Sequence, residues 1–419
     1  MGEAVALLGV SHIQKKRSEV SGSKQTTAPR RAYLLNSLKH PKEVEMMQRI
    51  YAKSFFLISA YLSRDDRKKR LADTFAGANS DHTTELYYPQ AEALMNRDEL
   101  EADDEFGQNV RGTFPKGDLF VHTNDNVRLQ ASINRFVKLL FGYQFTTPTK
   151  DEYSMFVARA VAARSSAFGR QVGAVITTKD GDVIAVGTNE VPKGGGGLYW
   201  EDDAFVRDGR DFAKLGGDPN DDKKRKMVAE MFKRLGQKGW LNPEYAKRSP
   251  GDMADESLKD VLKGTEIIDL VAYDRTVHAE MAAITDAASR TIPIDRCTIY
   301  ATTFPCHNCA KHIIASGITR CVYIEPYPKS RAYELHDDAI IHDQPVQEGK
   351  TAFDSFIGIA PRIYLEYFTA LERKDGAGKM LTWTPAASKL RYVTSEVSYL
   401  AEEDANLKEF DKRYKVIQQ

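Results

Sequence analysis

The chain has 419 residues, 42% of them hydrophobic and 28% charged, a composition ordinary for globular protein and a length that suits two domains. Lys plus Arg and Asp plus Glu each number 59, so no global field draws the molecule to nucleic acid or an anionic membrane, and any such binding has to come from a local patch. The apolar stretch AVALLGV after Glu3 is short and lacks a preceding basic region, and no run approaches the roughly 20 apolar residues of a membrane span; a cytoplasmic protein without a membrane partner is expected.

In chain order, Gln14 to Arg31 is rich in Lys, Arg, Ser, Thr and Gly and reads as a flexible basic loop. An apolar run at Ala32 to Leu35 predicts a strand, and a helical pattern follows Pro41. A second apolar run, Phe55 to Leu62, precedes a charged helix around Arg67 to Leu71. Strand, helix, strand, helix is the grammar of a parallel α/β domain. Val127 to Phe141 has apolar positions at helical spacing and closes this domain, with Thr146 to Thr149 as the junction. The pattern then restarts with a helix at Glu152 to Ser165 and strands at Gln171 to Thr177 and Val183 to Gly187, joined by Lys179-Asp180-Gly181-Asp182, which predicts an antiparallel hairpin. A charged stretch of about 194–264, without His or Cys, reads as an insertion over the domain's surface. A helix from His278 to Ser289, a strand at Cys297 to Thr302, a helix from Cys306 to Ser316 closed by Gly317, and a strand at Arg320 to Glu325 complete the pattern. The expected division is 1–147 and 148–419.

All four cysteines, Cys297, Cys306, Cys309 and Cys321, lie in one short segment, a distribution that favours metal binding in reducing surroundings over a disulfide framework. Two motifs carry the chemistry. TVHAEMAAI supplies His278 and Glu280, and TTFPCHNC supplies Pro305, Cys306 and Cys309. One imidazole and two thiolates suit tetrahedral zinc and leave a fourth position open, the arrangement of a catalytic site. Both ligand sets stand at predicted helix N-termini, where free N–H groups favour thiolate. Glu280, two residues beyond the histidine, is placed to act as general base and then general acid. H-x-E followed by P-C-x-x-C is the signature of zinc nucleobase deaminases. Cys297 and Cys321 read as small buried residues on strands, and His307 and His312 as helix-surface or partner contacts.

The segment Glu152 to Glu325 resembles the deoxycytidylate deaminase branch of the cytidine deaminase superfamily, through ARAVAARSSAFGRQVGAVI, VIAVGTNEVPKG, HAEMAAI and TTFPCHNCAKHIIASGITRCVYIEPY. The resemblance implies a mixed α/β sheet flanked by helices and a hydrolase that releases ammonia. It also implies one catalytic Zn2+ per chain, because the second, structural zinc of many relatives needs His and Cys ligands that the insertion lacks. It assigns Asn189 to a sugar hydroxyl, with a turn residue as the alternative, and Arg170 to the pocket's edge or the free surface. Lys329, Ser330 and Arg331 read as phosphate contacts or a solvated loop. Tyr327 packs against the sugar or plugs the core.

The whole order, with SLKHPKEVEMMQRIYAKSFFLISAYLSRDDRKKRL and FGQNVRGTF ahead of the deaminase half and EPYPKSRAYELHDDAI within it, resembles bacterial anti-phage dCTP deaminases. That resemblance implies dCTP or dCMP as free substrate, depletion of dCTP, and a partial nucleotide-kinase-like first domain. No G-x-x-x-x-G-K-[ST] occurs, so regulation or assembly is expected of that domain and not phosphotransfer. A homo-oligomer is expected, and a nucleic acid inhibitor is permitted. Two other readings stay open: a polynucleotide deaminase acting on tRNA or single-stranded DNA, and a non-catalytic regulator with structural zinc that binds nucleotide or RNA.

Overall fold

The computed structural model describes residues 3–80, 83–100, 108–203, 208–268, 270, 273–344, 346–369, 371–391 and 396–417; the first two residues of FGQNVRGTF and part of the insertion lie outside them. In chain order the elements used below are α1 (Ala4–Ser21), α2 (Pro41–Tyr51), β1 (Ile58–Tyr61), α3 (Arg64–Ala78), α4 (Tyr88–Leu100), β2 (Leu119–His122) and α5 (Asn126–Leu140). Then come α6 (Lys150–Ala162), β3 (Gly173–Thr177), β4 (Val183–Thr188), α7 (Pro219–Gln237), α8 (Pro250–Lys259), α9 (Ala279–Ser289) and β5 (Thr298–Thr303). The remainder are α10 (His307–Ala315), β6 (Arg320–Glu325), β7 (Ile340–His342), β8 (Thr351–Ser355), β9 (Gly358–Ile359) and α11 (Glu396–Ile417). Among the described residues no helix is long and apolar enough to cross a membrane.

The chain divides into two units, Met1–Tyr153 with Ser355–Gln419, and Ser154–Asp354. In the first, β1 pairs parallel with β2, and β9 adds antiparallel to β2. Residues 355–419 therefore group with the N-terminal unit, whereas the expected boundary kept them with the second. The physical reason lies at Glu152, whose buried carboxylate accepts from Arg135 Nη1 at 2.6 Å, from the Thr149 N–H at 2.8 Å and from the Ile359 N–H at 2.8 Å. Leaving that buried charge unpaired would cost several kcal/mol by the usual order of magnitude, about 3–5.

The basic loop expected at Gln14 to Arg31 is a helix as far as Ser21. Ala6, Leu7, Val10 and Ile13 of α1 pack on Met46, Met47 and Ile50 of α2, and the same stripe continues through Gln14 and Arg17, both buried. Arg17 is paired there through its terminal nitrogens: Nη1 donates to Glu403 Oε1 at 2.8 Å and Nη2 to the Lys24 carbonyl at 2.9 Å, and the Tyr51 hydroxyl donates to the same Glu403 oxygen at 2.8 Å. The strand expected at Ala32 to Leu35 does not form, and Leu34 is 96% exposed. An apolar run of four residues with no neighbouring strand to pair with has no ladder to hold it.

The second unit is a mixed sheet flanked by helices, in strand order β4-β3-β5-β6-β8-β7. β3 is antiparallel to both β4 and β5, while β5 runs parallel to β6 and β7 to β8. Its core gathers Ala174 and Ile176 of β3, Ile299 of β5, Cys321 and Tyr323 of β6 and Phe353 of β8 with Ala279, Ala283 and Ala287 of α9. Two glycines let helices touch strands directly. A Cβ on Gly173 would stand 2.0 Å from the Ala158 carbonyl oxygen of α6, and one on Gly187 would stand 2.2 Å from the Ala279 oxygen of α9. Small residues on both partners thus bring α9 down onto β4, and with it the residue at its N-cap, His278.

Candidate active site

His278 and Cys306 are both N-cap residues in extended conformation, of α9 and α10 respectively. The segment entering α9 is fixed by a two-residue bridge, in which the Val277 N–H donates to the Glu190 carbonyl at 3.0 Å. Glu190 is itself buried, its carboxylate accepting from the Ser166 N–H at 2.9 Å and from the Val191 N–H at 2.8 Å. On the other side, β5 delivers Phe304, Pro305 and Cys306 to the first turn of α10, where the Cys309 N–H points at Cys306 Sγ, 3.4 Å away.

His278 Nδ1 lies 3.4 Å from Cys306 Sγ and 3.4 Å from Cys309 Sγ, and one donor atom from each of the three residues falls within 4.8 Å of the others. A tetrahedral ion with bonds of about 2.3 Å to sulfur and about 2.0–2.1 Å to nitrogen separates N from S by about 3.5 Å, so both nitrogen–sulfur spacings suit zinc. The other ring nitrogen, Nε2, faces Asp274 Oδ2 at 3.7 Å, the carboxylate–histidine pairing that orients a ligating imidazole and raises its basicity. Asp274, together with Cys306, pushes the His278 pKa up to about 10. The two thiols share their protons unequally: the hydrogen bond from Cys309 takes Cys306 down to about 4, and holding that bond pushes Cys309 up. A divalent cation replaces these protons when it binds. Glu280, 4% exposed, is raised from the usual carboxylate range chiefly by burial and then by Cys306.

A cavity of about 380 Å³ opens on this cluster, and His278, Glu280 and Cys306 line it. Of the residues singled out in the sequence, Asn189, Arg170, Tyr327 and Lys329 also line it. Asn189 closes a clip, its Nδ2 donating to the Arg170 carbonyl at 2.8 Å while Oδ1 accepts from the Val172 N–H at 2.8 Å. Arg170 is half exposed and lies 3.4 Å from Glu325. Tyr327 packs against the core cluster as well as the cavity. Ser330 is not among the lining residues: its hydroxyl donates to the Pro305 carbonyl at 2.8 Å, bracing the turn that carries Cys306. Arg331 pairs with Glu266 at 2.7 Å. His312 Nδ1 is 2.6 Å from the Asn308 carbonyl, and Cys297 and Cys321 are buried but are not part of the His/Cys/Cys group.

The insertion does more than cover the surface. Asp211, Asp218, Asn220 and Lys224 line the cavity, as does Ile268 in the stretch that follows the insertion. Asn220 ties the two segments together, donating to the Leu270 carbonyl at 2.7 Å. The only local signal was Asp218-Pro219, a cap and first-turn pair that marks a helix start and says nothing of where the helix packs. Asp274, four residues ahead of His278, is the other omission.

Residues 148–325 match the family model described as the cytidine and deoxycytidylate deaminase zinc-binding region. ComE operon protein 2 of Bacillus subtilis (strain 168) is 40% identical over 75 residues, covering 17% of this chain and 39% of the relative. Deoxycytidylate deaminase of Enterobacteria phage T4 is 46% identical over 55 residues, 13% of this chain and 28% of the relative. The chain thus spans well under half the length of either. The solved dCMP deaminase of cyanophage S-TIM5 aligns over 50% of this chain and 100% of its own, at 15% identity and a TM-score of 0.27. The segment that matches this family model holds the His/Cys/Cys group.

Proposed function

We propose that the chain is a zinc-dependent hydrolase of free deoxycytidine nucleotides, converting dCTP or dCMP to the uracil nucleotide and ammonia, with His278, Cys306 and Cys309 holding one zinc and Glu280 moving the proton. The observation that carries this is a buried carboxylate, Glu280, in the wall of the same cavity that His278 and Cys306 of the His/Cys/Cys group line. A purely structural site needs neither the cavity nor the carboxylate.

Zinc supplies a water whose pKa is brought toward neutrality. Glu280 would take the proton that the water gives up as its oxygen bonds to the amino-bearing carbon and deliver it to the adjacent ring nitrogen; it would then take the proton of the new hydroxyl and pass it to the amine as the carbon–nitrogen bond breaks and ammonia leaves. Burial helps, because a carboxylate out of water holds and releases a proton closer to neutral pH than an exposed one does. Asp274 fixes the imidazole so that Nδ1 faces the sulfurs. Asn189 holds Arg170 and Val172 at the rim where a sugar would sit, and Tyr327 offers a flat apolar surface beside it.

The first unit is read as a nucleotide-kinase-like module for regulation or assembly, the whole as a homo-oligomeric cytoplasmic enzyme that depletes dCTP in anti-phage defence, with a nucleic acid as possible inhibitor. Ammonia release from the purified full chain, measured side by side on dCTP, dCMP, dCDP, CTP, deoxycytidine and a single-stranded oligonucleotide, with zinc determined on the same sample, tests the reading. Free deoxycytidine nucleotides are expected to be the best substrates, and Glu280→Gln to keep zinc while losing turnover. Full turnover in Glu280→Gln, or preference for the oligonucleotide, would overturn it.

A further inference from the structure

We infer that Lys224, on the insertion helix α7, joins Lys329, in the loop after β6, to form the seat for the phosphates of the nucleotide. This rests on the reading of the cavity as a nucleotide site. The two side chains come from segments more than 100 residues apart in sequence, yet both ammonium groups converge on one backbone oxygen: Lys224 Nζ lies 3.3 Å and Lys329 Nζ 3.4 Å from the Ile268 carbonyl. Two nitrogens so placed are within about 7 Å of each other, the span across which one phosphate group accepts from both at about 2.8 Å each. Lys224 is largely withdrawn from water, with 12% of its side chain exposed, so a full charge is held at the cavity wall at a desolvation cost that the Ile268 carbonyl and the exposed Asp221 carboxylate offset only in part.

The carboxylates on the same wall are engaged elsewhere. Asp211 pairs with Arg275, Asp274 faces His278, and Asp218 caps its own helix by accepting from the Asn220 N–H at 2.8 Å. Asp221, 2.7 Å from Lys224, is 68% exposed and its attraction is screened by solvent. At Lys224 the phosphate thus competes with the Ile268 carbonyl and the surface carboxylate of Asp221, and the recognition lies in paired ammonium groups, since Asp218 already caps the N-terminus of α7. The insertion then acquires a role: it carries the second cation to a cavity whose metal ligands and proton carrier all come from outside it.

The test is Lys224→Ala and Lys224→Glu in the full zinc-loaded chain. The ratio of kcat/KM for dCTP to that for deoxycytidine is expected to fall about 10- to 100-fold in Lys224→Ala, the loss of a charge-assisted hydrogen bond, and further in Lys224→Glu. A ratio that stays within about twofold of the parent in both would overturn the assignment, since that is well under one such bond. Binding of inorganic tripolyphosphate, followed by calorimetry, reads the same seat without turnover: the parent chain binds it and Lys224→Glu does not. Equal binding by both would also overturn it. A chain that deaminates nothing but loses tripolyphosphate with Lys224 would refute the proposed reaction and leave the seat standing.

Discussion

Gly187→Ala perturbs the site through packing alone. The added methyl would sit 2.2 Å from the Ala279 oxygen, 2.3 Å from the Ala283 nitrogen and 2.9 Å from the Ala282 carbonyl carbon. An ordinary carbon–oxygen contact is about 3.3 Å, so α9 has to retreat from β4 by about 1 Å, and its obstacles are backbone atoms that cannot rotate away. Overpacking of this kind costs about 1–3 kcal/mol and occasionally more; with three backbone atoms in the way, about 3 kcal/mol is expected. At roughly 2–4 °C per kcal/mol for a unit of this size, the melting temperature falls by about 6–12 °C. Activity should suffer more than stability, because His278 and Glu280 ride on the displaced end of α9 and a misplacement of 1 Å costs on the order of 100-fold in rate. The assay is a thermal melt, zinc content and ammonia release on one preparation. Gly194→Ala, where a Cβ meets nothing within 4 Å, is the control. If Gly187→Ala melts with the parent and keeps its kcat, the contact between α9 and β4 does not position the site as argued.

Three further outcomes are expected. Glu403→Gln strands the buried Arg17 guanidinium and should destabilise the first unit by about 3–5 kcal/mol, whereas Arg17→Met combined with Glu403→Leu should recover most of the loss; urea unfolding curves of the three chains decide this. Asp274→Asn removes the carboxylate behind His278 and should weaken zinc binding about 10- to 100-fold in competition with a chelating dye, with Cys309→Ser weakening it further. Asn189→Ala opens the clip on Arg170 and Val172, with an expected loss of about 1–2 kcal/mol in stability and a rise in KM, and an unchanged KM would detach Asn189 from substrate binding.

The motifs at His278 and Cys306 were legible because metal ligation and capping are local: H-x-E and P-C-x-x-C each sit at one helix end, and the helix follows from the spacing behind them. The hairpin of β3 and β4 was legible for the same reason. Arg17 was not. Its stripe begins with Ala6, Leu7 and Val10 and continues at helical spacing through Gln14, but composition argued for a loop, and the partner that allows burial, Glu403, lies 386 residues away. Asn220 and Lys224 escaped likewise. A polar segment that lines a polar cavity has the composition of one that lies on the surface, and bonds such as those from Asn220 to Leu270 and from Lys224 to Ile268 separate the two cases.

The convergence of ligands 28 residues apart in sequence follows from strand register. Ala174 of β3 pairs with Gly187 of β4 on one side and with Ala301 of β5 on the other. These three small residues form one row across the sheet. Gly187 carries the first turn of α9 and so sets the height of His278, and Ala301 lies five residues before Cys306 and sets where α10 begins. A slip of β5 by one residue would move Cys306 by about 3.3 Å and turn the side chains of β5 to the opposite face. Zinc tolerates ligand displacements of about 0.2 Å. Metal content is therefore a sensitive report on the β3–β5 register, and bulky substitution at Ala174 should cost zinc before it costs fold.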